Sequence, residues 1–346
     1  MSKVIGLDLG DKQNVAVVFD EDGTENKAVK ISNTKVAMGK YFRKHAEAVV
    51  VMEAGSHSGW ISRLLEGMGH DVWVGNPRRL RAIWDASDKS DERDARVLGL
   101  MYRLEPRLLH RINHRGETAQ CDLALIKSRQ MLVETRTKLI NHVRCVVKGM
   151  GERISSCSAA SFHKRAVLEM PECLRDALMP LVDQIAQLTE TIKGLDKSIE
   201  CLAAERYPET EWLIQVDGVG RLTALAFVLT IEDAERFEKS RDVGAYLGMT
   251  PKRDQSGDTD KQLSITKQGN TYLRTLLIGS SHYIMGPFGK DCDLQRHGMR
   301  IACRGGKNAK RRAVVAVARK LSVLLHSLWA NQSVYEPLRL KQRKAA

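Results

Sequence analysis

No two cysteines in this chain stand in a CxxC pair. Seven occur, at Cys121, Cys145, Cys157, Cys173, Cys201, Cys292 and Cys303, and so odd and scattered a set excludes a disulfide framework and a zinc ribbon. They are read as reduced thiols. Also missing is any apolar run near the roughly 20 residues that span a bilayer, and the first residues enter a strand-like segment without a charged-then-apolar leader. A soluble, intracellular protein is the expectation. The third absence is acid: between Arg296 and Lys320 there are nine Lys/Arg and no Asp or Glu. Residues 206–346 hold 24 basic against 14 acidic side chains, most of the net charge of +13. A localised positive surface selects a polyanion, because neutralised phosphates release their condensed counterions, so nucleic acid is the first partner to consider. Within that surface Arg304, Lys307, Lys310, Arg311 and Arg312 are the expected contacts.

The segments present divide the chain in three: 1–112, 113–205 and 206–346. In the first, residues 3–10 (KVIGLDLG), 14–19 (NVAVVF) and the KAVKI that follows a turn at 21–23 read as an antiparallel meander. VVVME at 49–53 is a continuous apolar strand, 60–68 has helical spacing, and DVWVGN at 71–76 is another buried strand. That succession predicts an α/β sheet with helices packed on it. In the second, 117–149 reads as one long helix. Leu181, Ile185, Leu188, Ile192, Leu195, Ile199 and Leu202 form a heptad seam that either an intramolecular bundle or a dimer would bury. RISSCSAAS at 153–161 is the expected loop between these helices. In the third, VDGVG at 216–220 suggests the hairpin of a helix-hairpin-helix, whose glycines let backbone amides approach a phosphate. A polar loop at 250–262 and helices near 270–285 and 308–329 follow.

Four acids stand out. Asp8 interrupts an apolar strand, where an unpaired carboxylate is costly to desolvate. Glu53 ends VVVME, and a parallel pairing of its strand with the first would bring it beside Asp8. Asp91 and Asp94, three apart in KSDERDAR, share one helix face. Such a cluster repels itself unless cations neutralise it, and hard oxygen ligands select magnesium, or manganese, over zinc. Paired ions about 4 Å apart stabilise both the attacking and the leaving oxygen of a phosphoryl displacement. Asp11, Asp85 and Asp88 are read as surface or capping residues, His57 as a helix cap, and Trp60, Trp73 and Trp84 as core.

GLDLG, MEAG around Glu53, GNP at 75–77 and KSDERDAR, followed by VDGVG, AYLGMTPKRDQSG at 245–257 and ITKQGNTYLR at 265–274, resemble in order and spacing the insertion-sequence-110 transposases. That family includes the pilin-gene invertases and the bridge-RNA-guided recombinases. The resemblance runs nearly end to end. It implies an α/β RNase H-like (RuvC-like) N-terminal domain holding Asp8, Glu53, Asp91 and Asp94 around magnesium, a helical coiled-coil middle, and a mostly α-helical C-terminal transposase domain. It also implies a nucleophilic serine, which falls on Ser256, with Ser264 the nearest rival. Asp254 and Gln255 precede it in a variable stretch, so the SG pair anchors the match. Taken as a residue, Ser256 is an ordinary loop serine, flanked by Lys252, Arg253 and Lys261, that needs activation before it can attack phosphorus. The resemblance further implies donor and target DNA, a guide RNA and a homo-oligomer as partners, and a cytoplasmic, nucleoid-associated place in a bacterial or archaeal cell. A metal-dependent junction resolvase using activated water is the rival enzyme. A nucleic-acid-binding protein with a decayed site and a sugar-kinase-like phosphotransferase are the rivals from other classes.

Overall fold

A computed structural model describes residues 2–80, 90–257 and 259–339, and the chain divides into two compact units, Met1–Glu117 and Thr118–Ala346. Asp85, Asp88 and Trp84 lie outside the described residues.

The first unit is built on five strands. β1 (Val4–Asp8), β2 (Gln13–Phe19) and β3 (Val29–Ser32) form the expected antiparallel meander. The chain continues through α1 (Lys35–Phe42), β4 (Val49–Glu53), α2 (Ser58–Glu66), β5 (Asp71–Gly75), the short α3 (Pro77–Leu80) and α4 (Asp91–Leu104). The sheet order is β3-β2-β1-β4-β5, with β4 parallel to β1 and β5 parallel to β4. Apart from Glu53 at the end of β4 and Asp71 at the start of β5, both parallel strands are apolar because helices cover both faces. Strand alternation sorts the residues: Ile5 and Leu7 pack with Met38 and Phe42 of α1 and Ile61 and Leu65 of α2. Val4 turns the other way, onto Ala95, Leu98 and Met101 of α4. Gly6 lies on that second face, and a Cβ there would stand 1.9 Å from the Ala95 carbonyl oxygen. One on Gly99 would stand 2.5 Å from the Phe19 ring. These two glycines let the backbones of β1 and α4 touch.

The second unit is helical apart from one hairpin. The helical middle of the sequence falls within it as α5 (Glu117–Gly149), α6 (Phe162–Glu169) and α7 (Arg175–Arg206). α5 and α7 pair antiparallel. Arg206 bonds Asp122 at 3.1 Å, Arg129 bonds Asp196 at 2.6 Å and Arg136 bonds Thr189 at 3.3 Å, so positions rise on one helix as they fall on the other. The heptad seam therefore has a partner in its own chain. Ile185 is buried with Ile140 and Val143, Ile199 with Leu123 and Ile126, and Ile192 is buried between them. Leu181, Leu188, Leu195 and Leu202 are half-covered. Residues 153–161 are irregular, but they do not lead directly into the second long helix. α6 intervenes, held by Phe162 and Ala166 in the core at this end of the pair, and α7 starts at Arg175, upstream of Pro180.

Beyond α7 come α8 (Thr210–Ile214), α9 (Arg221–Ile231), α10 (Asp242–Tyr246), β6 (Pro251–Ser256), β7 (Thr259–Ile265), α11 (Thr271–Met285), α12 (Asp293–Ala302) and α13 (Ala309–Ala330). VDGVG connects α8 to α9 as expected, with Gly218 in the left-handed region at φ +88. The stretch 250–262, expected to be a polar loop, is instead mostly an antiparallel hairpin, with Pro251 opposite Ile265 and Ser256 opposite Thr259. Alternation was invisible there because every residue of β6 is exposed, so no buried face imposes a period. α13 corrects a second expectation. Its 22 residues are apolar enough to cross a membrane, yet half of that window is buried in the protein, with Val317, Leu321 and Leu325 in the main core of the unit.

Candidate active site

In the first unit, register places the acids. Leu7 lies opposite Met52 in the parallel β1–β4 pair, so the next position along puts Asp8 level with Glu53. Asp8 shares its face with Gly6, and Glu53 shares its face with Val49 and Val51, both packed on the α4 side. α4 turns Ala95 and Leu98 to the sheet; Asp94 adjoins that stripe, and Asp91 precedes it by one turn. The helix begins there because Ser90 caps it, its hydroxyl accepting from the Arg93 amide at 3.3 Å, and the amide dipoles of the first turn favour the acids gathered in it. The glycine contact between β1 and α4 is thus what brings the helix start over Asp8.

The electrostatics follow. Burial first, and then the charges of Asp91, Asp94 and Glu53, raise the Asp8 carboxyl to about 6 against a bond from the Leu9 amide. The other three predicted acids thus all lie close enough to act on Asp8. They are not drawn into a cage: among the described residues no group of three or more His, Cys, Asp or Glu is arranged to hold a metal ion. A half-buried carboxyl raised first by burial and then by three neighbouring acids nonetheless belongs to a donor set that suits a hard divalent cation, since a cation there would cancel both the desolvation and the repulsion.

The neighbours are structural. His57 occupies the N-cap of α2 but makes no capping bond; its Nδ1 accepts from Trp60 Nε1 at 3.3 Å and its Nε2 lies 3.5 Å from Asp11. Asp11 is otherwise exposed, as expected. Trp60 and Trp73 are half-buried, Trp73 beneath the Arg111 guanidinium at 4.6 Å.

In the second unit, Ser256 is exposed at the last position of β6, where the hairpin turns through Gly257 at φ +55. Arg253, one of the cations expected to flank the serine, donates to both oxygens of Asp260 across the hairpin at 2.8 and 2.7 Å, and Lys252 and Lys261 are exposed beside it. Arg304, Lys307, Lys310, Arg311 and Arg312 are all exposed. Arg296, in the same acid-free segment, is held by Asp291 just outside it. Sequence reasoning overlooked Gly6 and Gly99. Its available signal was Ala95 and Gly99, two small residues one turn apart behind the acids.

These units match known proteins separately and together. A transposase model for the DEDD domain of IS110 elements covers residues 5–151, and the model described as transposase IS116/IS110/IS902 family covers residues 210–285. Both describe transposases, enzymes that cut and rejoin DNA, and that is the class of this protein. The chain is 26% identical to the transposase for insertion sequence element IS1111A of Coxiella burnetii over 345 residues, covering 96% of this chain and 91% of the relative. It is also 26% identical to a probable family 20 transposase of Pseudomonas aeruginosa over 343 residues, covering 96% and 98%. A pilin gene-inverting protein of Moraxella lacunata matches at 26% over 151 residues, 42% of this chain and 45% of that one. The chain belongs to the IS110 family of transposases.

Proposed function

We propose that this transposase moves DNA strands with two chemically distinct sites, a magnesium site at Asp8, Glu53, Asp91 and Asp94 on an RNase H-like domain and a nucleophile at Ser256. The observation that carries the first is the Asp8 carboxyl, one position beyond the Leu7–Met52 pair of the parallel strands and raised to about 6 by burial and by the other three acids. When bound, magnesium, or manganese in its place, stabilises negative charge on the reacting phosphate oxygens. The protein's own part is to hold four oxygen donors on one face of the sheet, two of them on a helix that Gly6 and Gly99 lock in place.

Ser256 supplies the bond that conserves energy. Its Oγ attacks phosphorus, a phosphoserine ester forms, the bond to the leaving sugar oxygen breaks, and the hydroxyl proton passes to that oxygen. The reverse attack by a sugar hydroxyl passes the strand to a new partner without a high-energy cofactor. Lys252 and Lys261, exposed beside it, suit the holding of a phosphate. Donor and target DNA are the substrates, an element-encoded RNA selects the target, and the basic face at Arg304, Lys307 and Lys310 to Arg312 grips the backbone. The protein acts as a homo-oligomer in the cytoplasm of a bacterial or archaeal cell. Since Ile185, Ile192 and Ile199 are occupied within the chain, the half-covered leucines of α7 are the part of the seam left for a second copy.

Incubation with labelled DNA, magnesium and guide RNA, followed by denaturation, tests the reading. DNA should remain attached to wild type and not to Ser256→Ala. Attachment surviving in Ser256→Ala moves the nucleophile elsewhere. Cleavage with attachment in neither protein assigns the reaction to activated water and overturns the proposal.

A further inference from the structure

Beside the hairpin that carries Ser256 runs a groove of about 1150 Å³ between α12, α13, β7 and the segment from Tyr335 to Arg339. Its long wall is the outer face of α13. The buried face of that helix is conventional, but the outer face repeats in pairs: Arg311 and Arg312, Val315 and Ala316, Arg319 and Lys320, Val323 and Leu324. Cationic and aliphatic pairs alternate every four residues, roughly 6 Å of helix rise each. The aliphatic pairs are half-exposed: Leu324 also packs on the main core, whereas Val315, Ala316 and Val323 belong to no core cluster. Ile301 of α12 and Leu263 and Ile265 of β7 complete an apolar floor opposite them. Leu263 is 50% exposed.

The cations of this wall are unspent. Among the described residues Arg311, Arg312, Arg319 and Lys320 enter no ion pair, and the acids that line the groove are Asp293 and Glu336. His297, also in the lining, is held below its ordinary value by burial and by Lys320, Arg300 and Arg304, which reports a concentrated positive potential.

We infer that this groove seats an unpaired nucleic-acid strand, with phosphates on the basic turns of α13 and unstacked bases on the aliphatic turns between them. The inference rests on the nucleic-acid reading above and makes it specific. A duplex buries its π-faces and offers only base edges, so the aliphatic turns of the groove would have no base face to cover. An unstacked base presents a flat face that covers apolar surface whatever its identity, and an extended strand exceeds the roughly 3.4 Å per nucleotide of a duplex strand. The basic turns recur every eight residues, roughly 12 Å of helix rise, so a few nucleotides of strand pass between them with the aliphatic turn beneath their bases. The groove also adjoins the chemistry: Pro251 lines it, and Ser256 is five residues along the same strand, about 17 Å at roughly 3.4 Å per residue. A strand leaving the groove along the hairpin reaches the serine.

The test is equilibrium binding of the full chain to a short single-stranded oligonucleotide, the same strand with abasic positions, and the duplex. Wild type should lose roughly ten-fold in affinity for the abasic strand, because base contacts of this kind are worth that much. The double variant Val315→Ser, Val323→Ser should lose the same on the intact strand, nothing further on the abasic one, and nothing on the duplex. The abasic comparison uses wild type alone, so it decides even if the double variant folds poorly. Equal affinity of wild type for intact and abasic strands overturns the inference, as does an equal loss on the duplex. Displacement by an acidic amphipathic peptide but not by single-stranded DNA assigns the groove to a protein instead. Wild type that bound neither the strand nor the duplex would overturn the nucleic-acid reading itself, whereas equal binding of intact and abasic strands overturns this inference alone, so the two failures are distinguishable.

Discussion

The two units treat charge in opposite ways. In the first, three acids raise the carboxyl of a fourth, half-buried one against a sheet, and the cost of burying Asp8 is stored until something positive arrives. In the second, cations stand apart on the outer face of α13 and its approach, without acids of their own, and each keeps its full charge for an external partner. Burial makes the first strong, local and little screened. Exposure makes the second weak per group, additive and dependent on salt.

The largest effect should come from removing the stored charge. Asp8→Asn should reduce DNA cleavage in magnesium by about a thousand-fold or more, the scale at which losing an electrostatic stabiliser of the transition state is felt. It should at the same time raise the melting temperature of the metal-free protein. The sign follows from linkage. Asp8 binds its proton more tightly folded, at about 6, than unfolded, at 3.8, so metal-free stability falls as pH rises from 3.8 to 6 and is flat above. At pH 7 the penalty is on the order of 1 to 2 kcal/mol once partial exposure is allowed for. Thermal melts of both proteins at pH 4 and pH 7 should therefore differ at the higher pH and converge at the lower. A variant no more stable than wild type at pH 7 would remove the basis for the cluster.

Next in size is the contact that creates the cluster. A Gly99→Val side chain meets the Phe19 ring and has no room, so α4 must lift from the sheet at a cost of about 3 kcal/mol. Denaturant melts should show the loss. If the variant remains folded its cleavage should fall while its nucleic-acid affinity persists, because the cations belong to the other unit. Persistence of cleavage would mean that α4 does not need to touch β1.

A smaller effect is expected from the basic face. Changing Lys310, Arg311 and Arg312 to Ala should weaken DNA binding by about ten-fold at moderate salt and flatten the dependence of log affinity on log salt by roughly 2 to 3 units, since up to three phosphate contacts disappear. An unchanged slope would make the face merely solvated.

The smallest should come from the seam. Ile192 is nearly fully buried against its own chain, so an acid there destroys the helix pair and says nothing of oligomers. Leu195→Gln changes a half-covered position and should cost the monomer under about 1 kcal/mol while shifting light scattering toward smaller species. An identical mass distribution would place the interface between copies elsewhere.

Much of this was legible in residues alone. VVVME is β4 to the residue, 117–149 is α5, and the meander fell where turns and alternation put it, because both periodicities and punctuation are local. Asp8 and Glu53 stood out because a carboxylate in or ending an apolar strand is costly without compensation, and Asp91 and Asp94 because their three-residue spacing puts them on one helix face. Other features were not legible, for physical reasons. A heptad seam specifies that leucines and isoleucines be covered, not by which chain, and only the pairing of Asp122 with Arg206 and Asp196 with Arg129 names α5 as the cover. An all-exposed strand such as β6 has no buried face to betray it, and the engagement of Arg253 by Asp260 depends on the register of that hairpin.

What the sequence by itself determined is the inventory: which segments are strands and helices, where acid and base concentrate, and the family to which the chain belongs. These follow from side-chain chemistry repeated at the spacing of a helix or a strand, and no fold is needed to read them. Only the tertiary structure decided that Asp8 stands level with Glu53, that two glycines lower α4 onto the sheet, and that α13 has a second, open face. Each of those is a contact between residues far apart in the chain, set by packing, which no local pattern encodes.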